Sequence, residues 1–519
     1  MTRCLYILVL SSLALQAADS RWIGSKTCAT CHAEIYRRYS ATPMAQSSGD
    51  AASSRVPDQA FETNSGYRYS ITHNGSHLLL GFGPNQLELA YFVGSGTAAR
   101  SYLLNFDNFL YEAPTTYYTQ AKSWALSPGY DRYSYPFLTR AIAPGCLQCH
   151  ATGIQPVAGT QNGYRSPPFL EGGIGCERCH GPGAAHVASG KAADIVNPAR
   201  LQSRPRDSVC AQCHLSGEIR VDHAGRSMAD FIPGANLSDY TTAFVRATSS
   251  RAMKVTSHVE NLAQSACARA GGNRLWCGTC HDPHFVPTPA EKAAWFRGKC
   301  QTCHAPTDCA RGDNCIACHM PTTSVTDADH VVYTDHSIPR RPAPRNRRPP
   351  PDAPLVPFGG NAVATPRDLG LAYAIVALRE QNAVYSAKAF DLLRQAERQN
   401  PTDPQTLSYL ADLYKTRKDD RTAQQLYQRL YRADTTQSSA PMNLGAYQME
   451  QGHYEQAIAL FEEALKISPA LVLVRLNLAV ALVRTGHGQE ARAVLERALE
   501  FNPAFTVARD LLNQIRSNP

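Results

Sequence analysis

The sequence predicts a mainly α chain in two unlike halves: short helices with a small antiparallel β section first, then an α-solenoid of helix pairs. Three observations carry this. The pattern Cys-x-x-Cys-His occurs seven times between Cys28 and His319, a motif-free stretch from 60 to 120 alternates aromatic and polar residues, and beyond Ala389 the sequence repeats every 34 residues.

The seven copies are Cys28/Cys31/His32, Cys146/Cys149/His150, Cys176/Cys179/His180, Cys210/Cys213/His214, Cys277/Cys280/His281, Cys300/Cys303/His304 and Cys315/Cys318/His319. Two thiols three positions apart can each add to one of a porphyrin's two vinyl groups, and the next residue then places its imidazole under the iron. Each copy is therefore an attachment site for c-type haem. The same Cys-x-x-Cys spacing serves zinc ribbons and redox dithiols. Zinc knuckles do not require His after every second Cys, and no strand-then-helix pattern of a thioredoxin-like site surrounds these copies. The expected cofactor is seven covalent haem c groups, with the motif cysteines as attachment points and the motif histidines as iron ligands.

The elements follow in chain order. Arg3, the apolar run Leu5 to Leu15 and the small residues Ala17 and Ala18 read as a signal peptide over 1–18, with an uncleaved anchor as the alternative. Export to the periplasm or beyond fits the haem reading, because c-type haem is attached outside the cytoplasmic membrane. The motifs take 14 of the 17 cysteines, and Cys4 falls within the signal. Cys267 and Cys309 remain, and in an oxidising compartment they are expected to form a disulfide, two free thiols being the alternative. No other long apolar run occurs, so no transmembrane span is expected in the mature chain.

Residues 19–336 form the expected haem domain. After the first motif come a short helical piece, Ile35 to Tyr39, and Thr42-Pro43-Met44. Tyr67, Tyr69 and Ile71 alternate with polar residues, Asn74-Gly75 marks a turn, and Leu78 to Phe82 resumes the apolar run, which is a hairpin signal. Tyr91, Phe92, Tyr102, Leu103, Phe106, Phe109 and Tyr111 extend this into a small antiparallel sheet. From 140 to 336 the motifs crowd together with little aliphatic sequence between them, so the macrocycles are expected to supply the buried apolar surface.

Residues 337–365 read as a Pro/Arg-rich linker, extended and semi-rigid, with Pro349-Pro350-Pro351 at its centre. Its Arg340, Arg341, Arg345, Arg347 and Arg348 stand against Asp352 and account for part of the formal charge of +8. Such a run is a solvated linker or a patch that steers an acidic partner. No nucleic-acid partner is expected.

Residues 366–519 carry the repeat. Pro401, Thr435, Pro469 and Pro503 recur at one spacing, as do Ala389, Ala423, Ala457 and Ala491. Leu444, Gly445, Gly452, Ala457, Phe461, Ala464 and Pro469 match the tetratricopeptide pattern of small residues where two helices cross and Pro at the end of the second. Stacked repeats bury their own core. This half is therefore expected to fold independently of the haems, and to offer a groove to a protein or peptide partner.

Seven irons need a second ligand each. Met44 is a candidate thioether ligand or a core methionine. His73 and His77 lie in the predicted hairpin and read as surface histidines, while His223 stays open between the two roles. Cys176-Glu-Arg-Cys179-His180-Gly-Pro-Gly-Ala-Ala-His186, Cys277-Gly-Thr-Cys280-His281-Asp-Pro-His284 and Cys315-Ile-Ala-Cys318-His319-Met320-Pro321, with His330 and His336 downstream, resemble the multihaem cytochrome superfamily. That superfamily includes nitrifier tetrahaem electron carriers and hydroxylamine oxidoreductase, and the resemblance spans roughly residues 20–340. It implies that the late histidine of one motif ligates a neighbouring haem, and so assigns His186, His258, His284, His330 and His336 as distal ligands. The whole chain is similar to bacterial multihaem (heptahaem) cytochromes with C-terminal tetratricopeptide repeats. The Cys-x-x-Cys-Lys motif of a nitrite-reductase catalytic haem is absent. The expected function is electron transfer to redox partner proteins, with the repeats as docking module. The alternative is an oxidoreductase acting on a small nitrogen or sulfur compound at one five-coordinate haem, since five distal histidines do not serve seven irons; its catalytic residues are unassigned. A scaffold, in which the repeats carry the function, is a third class.

Overall fold

The computed structural model describes residues 21–248, 253–306, 314–328, 330–340, 349–360 and 364–517. The signal-peptide segment, Cys309 with its expected disulfide, and Arg341 to Arg348 lie outside them.

The largest element of the first half is a sheet of eight strands: β1 (Ser48–Asp50), β2 (Gln59–Glu62), β3 (Arg68–Asn74), β4 (His77–Phe82), β5 (Asn85–Val93), β6 (Ala99–Phe106), β7 (Phe109–Tyr118) and β8 (Ser123–Leu126). Strands β2 to β8 pair antiparallel in sequence order, and β1 adds to β5. Asn74 pairs with His77, so Gly75 and Ser76 form the expected two-residue turn, with Gly75 at φ 59°. The sheet curls until its ends nearly meet. Trp124 of β8 donates from its indole Nε1 to the carbonyl of Pro57 at 2.9 Å and from its backbone to Gln59 Oε1 at 3.2 Å. Ile71, Leu78, Leu80, Tyr102, Leu104 and Tyr111 fill the interior. This corrects the expected mainly α fold with a small β section: the first half is built on a near-closed antiparallel barrel, and the chain is mixed.

The second half has the expected helix pairs: Pro366–Glu380 with Ala383–Gln399, Pro404–Thr416 with Asp420–Ala433, Ser439–Glu450 with Tyr454–Ile467, Val472–Arg484 with Gly488–Phe501, and a last helix Thr506–Ser517. Thr365, Asn382, Asp403 and Asp419 accept backbone N–H bonds at the starts of the first four helices. Ala389, Ala423, Ala457 and Ala491 are fully buried. A Cβ on Gly445 would stand 2.7 Å from the ring of Phe461, so the helices cross where only glycine fits.

The two halves are in contact. A three-stranded sheet, Ile219–Asp222, Thr241–Arg246 and Leu355–Pro357, takes two strands from the expected haem domain and one from the expected linker. Its Val221, Phe244 and Leu355 share one core with Leu371, Tyr373, Tyr385 and Leu407 of the first repeats. Arg246 bonds both oxygens of Glu380 at 2.6 Å, and Arg367 donates to the carbonyl of Asp222 at 2.8 Å. At the far end of the solenoid, Phe501 packs edge-on to Phe106 and Tyr111 of the barrel, with centroids 5.1 and 5.7 Å apart. Leu355–Pro357 of the expected linker is therefore a strand, and the solenoid packs against the first half at both ends. No described helix is long and apolar enough to cross a membrane.

Candidate haem-binding centre

Each motif sits on or beside a helical turn: Ser25–Ala29, Pro144–Leu147, Glu177–His180, the end of Ser203–His214, Cys277–Cys280, the end of Lys292–Gln301, and Cys315–His319. The N–H groups of His32, His180, His281 and His304 bond to the carbonyls of Cys28, Cys176, Cys277 and Cys300 at 2.9 to 3.0 Å. Positions i, i+3 and i+4 share one face of such a turn. Two thiols and one imidazole therefore project to the same side.

Cys31, Cys146, Cys303 and Cys318 are exposed. Cys31 and Cys303 follow the ends of the helices Ser25–Ala29 and Lys292–Gln301. Their near neighbours are hydroxyls of the preceding residues, Thr30 Oγ1 at 3.9 Å from the Cys31 sulfur and Thr302 Oγ1 at 3.8 Å from that of Cys303. An open thiol suits a covalent attachment point, because a bulky group can reach it without displacing packed side chains.

Three motif histidines face a second imidazole. His32 stands opposite His186 with ring centroids 6.3 Å apart and planes 14° from parallel. His180 faces His284 at 6.0 Å and 12°, and His281 faces His336 at 6.2 Å and 25°. Two imidazoles bound to one metal at about 2.0 Å per nitrogen have ring centres roughly 6 Å apart, so each gap matches a single iron. His258 is different. It meets His214 edge-on at 4.9 Å, with the two Nδ1 atoms 3.3 Å apart, and meets His336 edge-on at 4.8 Å.

The outer ring nitrogens are tied down. Nδ1 of His180, His186, His319 and His336 bonds the carbonyls of Val196, Lys191, Pro339 and Thr334 at 2.7, 2.9, 3.1 and 3.0 Å. A carbonyl only accepts, so Nδ1 carries the proton and Nε2 keeps its lone pair for a metal. Burial holds His281 and His258 neutral: it pushes His281 down to about 4 and His258 to about 3, helped by the neighbouring histidines. Ile35, Val187 and Val286, close in sequence to His32, His186 and His284, are about half exposed. Donor set and spacing fit haem c.

The other expected ligands are placed less simply. His330 meets the ring of Tyr118 edge-on at 5.0 Å, and no motif imidazole contacts it among the described residues. This departs from its assignment as a distal ligand. Met44 is anchored through its carbonyl, which accepts from Ile174 N at 3.0 Å, whereas the ring across from His32 is that of His186. His223 commits Nε2 to Thr242 Oγ1 at 2.8 Å, and His73 and His77 are exposed and bonded to Asp58 and Glu88. His150 is half-buried, its Nδ1 is enclosed without a partner, and no ring contact to a second imidazole is found among the described residues.

The motifs touch one another. Arg178 of the third motif donates to the Gln148 carbonyl of the second, and its own carbonyl accepts from Gln212 Nε2 of the fourth, both at 3.0 Å. Sequence reasoning missed the residues that lock these contacts. Glu177, inside the third motif, accepts from the amides of Ile23, Gly24 and Gly183 at 2.8 to 3.1 Å, and Glu171 accepts from Ser25. An acid between motif cysteines was the available signal.

The cytochrome c554 and c-prime family model matches residues 120–181, and a tetratricopeptide repeat model matches residues 448–515. No curated protein matches. Among solved structures, a mutant form of MamA is 22% identical and covers 30% of this chain and 85% of its own, at a TM-score of 0.26. Another MamA structure is 16% identical over 27% of this chain and 82% of its own, at 0.25. The APC/C Cut9–Hcn1 assembly is 20% identical over 28% of this chain and 30% of its own, also at 0.25. Likenesses this partial carry no functional information. The family matches and the motif geometry agree, and the chain joins a multihaem domain of the cytochrome c554 and c-prime type to C-terminal tetratricopeptide repeats.

Proposed function

We propose that the chain is an exported electron carrier with seven c-type haems, docked to redox partners through its repeats. When bound, each haem supplies a one-electron iron couple; the protein fixes ligands, spacing and solvent access. The observation that carries the reading is the set of three near-parallel imidazole pairs at 6.0 to 6.3 Å. His186, His284 and His336 are then the second ligands opposite His32, His180 and His281, and His258 is the spare imidazole beside His214. Both axial positions filled leaves no place for substrate. Hydrogen bonds through Arg178 join the second and fourth motifs to the third, and Glu177 joins the third to the arm that leads into the first.

Electron paramagnetic resonance of the oxidised holoprotein with haem quantitation tests this. Seven covalent haems, at least three of them low-spin with two imidazoles, are expected; a matured preparation without c-type absorption bands refutes it. His284→Ala should convert one low-spin haem to high-spin.

His150 favours a second reading, a reductase or oxidase of a small nitrogen or sulfur compound. No second imidazole contacts it among the described residues, and Leu147 of its motif is buried in one cluster with Tyr164. Carbon monoxide binding to one reduced haem, lost in His150→Ala, supports this reading; no binding at any haem removes its site.

A further inference from the structure

The turn that follows the fifth motif carries a carboxylate against a candidate iron ligand. Asp282-Pro283-His284-Phe285 is a β-turn closed by the Phe285 amide on the Asp282 carbonyl at 3.2 Å, with Asp and Pro in the first two positions that such turns favour. Asp282 Oδ1 accepts from the His284 amide at 2.9 Å, and the same oxygen lies 3.7 Å from the imidazole Nδ1. That is longer than a hydrogen bond but well within the reach of a charge. The first motif holds this turn from outside. On helix Ala33–Ser40, which starts directly after His32, Arg38 donates to Asp282 Oδ2 at 3.3 Å and lies over the Phe285 ring at 4.9 Å, while Tyr39 meets the His284 ring edge-on at 6.2 Å. Tyr39 is itself fixed, its hydroxyl donating to the Ile174 carbonyl at 2.5 Å.

The other two candidate second ligands are set differently. Nδ1 of His186 bonds the Lys191 carbonyl and that of His336 the Thr334 carbonyl, at 2.9 and 3.0 Å, and both acceptors are neutral. A carboxylate facing the Nδ1 proton makes an imidazole a more basic metal ligand and adds negative charge near the iron, and both effects favour the ferric state. Arg38 offsets part of that charge through the far oxygen. We propose that Asp282, held by Arg38, is a positioning residue for His284 and makes the haem of the His180–His284 pair the lowest in potential of the three paired haems. An electron on that haem is passed on most readily, and the other two pairs hold theirs longer.

The inference rests on the reading that His180 and His284 share one iron, and the test separates the two. Redox titration of the holoprotein, followed by paramagnetic resonance, is run alongside covalent haem quantitation. His186→Ala, His284→Ala and His336→Ala each identify one step as that of the haem that turns high-spin; this matters because Asp282 also adjoins His281 of the fifth motif. In the wild type the His284 step should lie below the other two. Asp282→Asn keeps an acceptor for the His284 amide but removes the charge, and should move that step about tenfold toward the reduced form at fixed potential, about 59 mV more positive. Arg38→Gln should move the same step the opposite way, and Arg38→Lys should leave it near the wild-type position. Loss of support alone would move Asp282→Asn and Arg38→Gln in one direction, so opposite signs mark the charge. A His284 step that is not the lowest, that stays in place, or that both variants move the same way overturns the inference, as does a shift confined to the His336 step. If His284→Ala leaves every haem low-spin, the shared-iron reading falls instead. If Asp282→Asn fails to mature, the two Arg38 variants decide, and any result but a negative shift in Arg38→Gln that Arg38→Lys lacks overturns the inference.

Discussion

The contact between barrel and solenoid allows a direct test of whether the two halves form one cooperative body. Phe501 ends the last paired helix of the repeats and is fully buried, yet its ring lies against Phe106 and Tyr111, nearly four hundred residues earlier. Arg475 and Arg497 cover it at 5.5 and 4.9 Å. Phe501→Ala removes a fully buried ring and should cost about 3 to 5 kcal/mol. That loss alone does not separate a repeat core from an interface. Phe106→Ala does, because Phe106 is not part of the repeats. Aromatic pairs contribute about 0.5 to 1.5 kcal/mol beyond area burial, so the double-mutant cycle should show a coupling of that size. The assay is urea unfolding of the holoprotein, followed in the far ultraviolet for the repeats and in the Soret band for the haem domain. Both signals should shift together in each single variant. Coupling within error of zero, with Phe106→Ala leaving the helical transition in place, refutes the shared body and restores independent halves.

Three further outcomes follow. Burial raises the Glu380 carboxyl, but hydrogen bonds from Arg246 and Arg379 outweigh it and hold the group below the usual carboxylate range, so its contribution is present above about pH 4.3 and lost as pH falls through its lowered value; Glu380→Gln should weaken the first-repeat contact by about 1 to 3 kcal/mol at pH 7 and flatten its acid sensitivity, read by proteolysis near Pro350 between pH 7 and 3. Gly173 has φ 76°, and a Cβ there would stand 1.9 Å from the carbonyl oxygen of Ala45; Gly173→Ala should cost at least about 1 to 3 kcal/mol and lower haem content at the third motif, measured by mass spectrometry of haem peptides. Glu177→Gln should loosen the first motif from the third, since one oxygen of a neutral amide cannot accept all the bonds that Glu177 accepts; the low-spin signal assigned to the His32 pair should broaden or vanish while the His281 pair is unchanged.

What the sequence made legible was whatever a short covalent or helical spacing enforces. Cys-x-x-Cys-His is a constraint within one turn, so His32, His180 and their equivalents were visible without a fold. Ala457, Gly445 and Phe461 were visible because helix crossing demands small and large residues at a set period. The barrel was underestimated for a physical reason: β7 is buried along nearly its whole length, so the alternation that betrays a strand is lost. Phe244 and Phe501 looked like ordinary core residues of their own segments, because a contact across hundreds of residues leaves no local pattern. The second ligands were named by resemblance, but which motif each serves was not legible.

Those hidden contacts are also the ones that set the function. His186 follows the third motif yet faces His32 of the first, and Glu177 of the third motif holds Ile23 and Gly24 of the arm that leads into the first. On the proposed reading one segment would supply the ligand and its neighbour the brace, so the first and third motifs could not drift apart without separating the His32–His186 pair. The same logic repeats where His336, beyond the seventh motif, returns to His281 of the fifth. Interlocked pairs of this kind would hold neighbouring motifs at a set distance by ligation and buried carboxylates rather than by a wide hydrophobic core, which fits the scarcity of aliphatic sequence between residues 140 and 336 and the placing of the barrel and the solenoid, which do have such cores, outside the motifs.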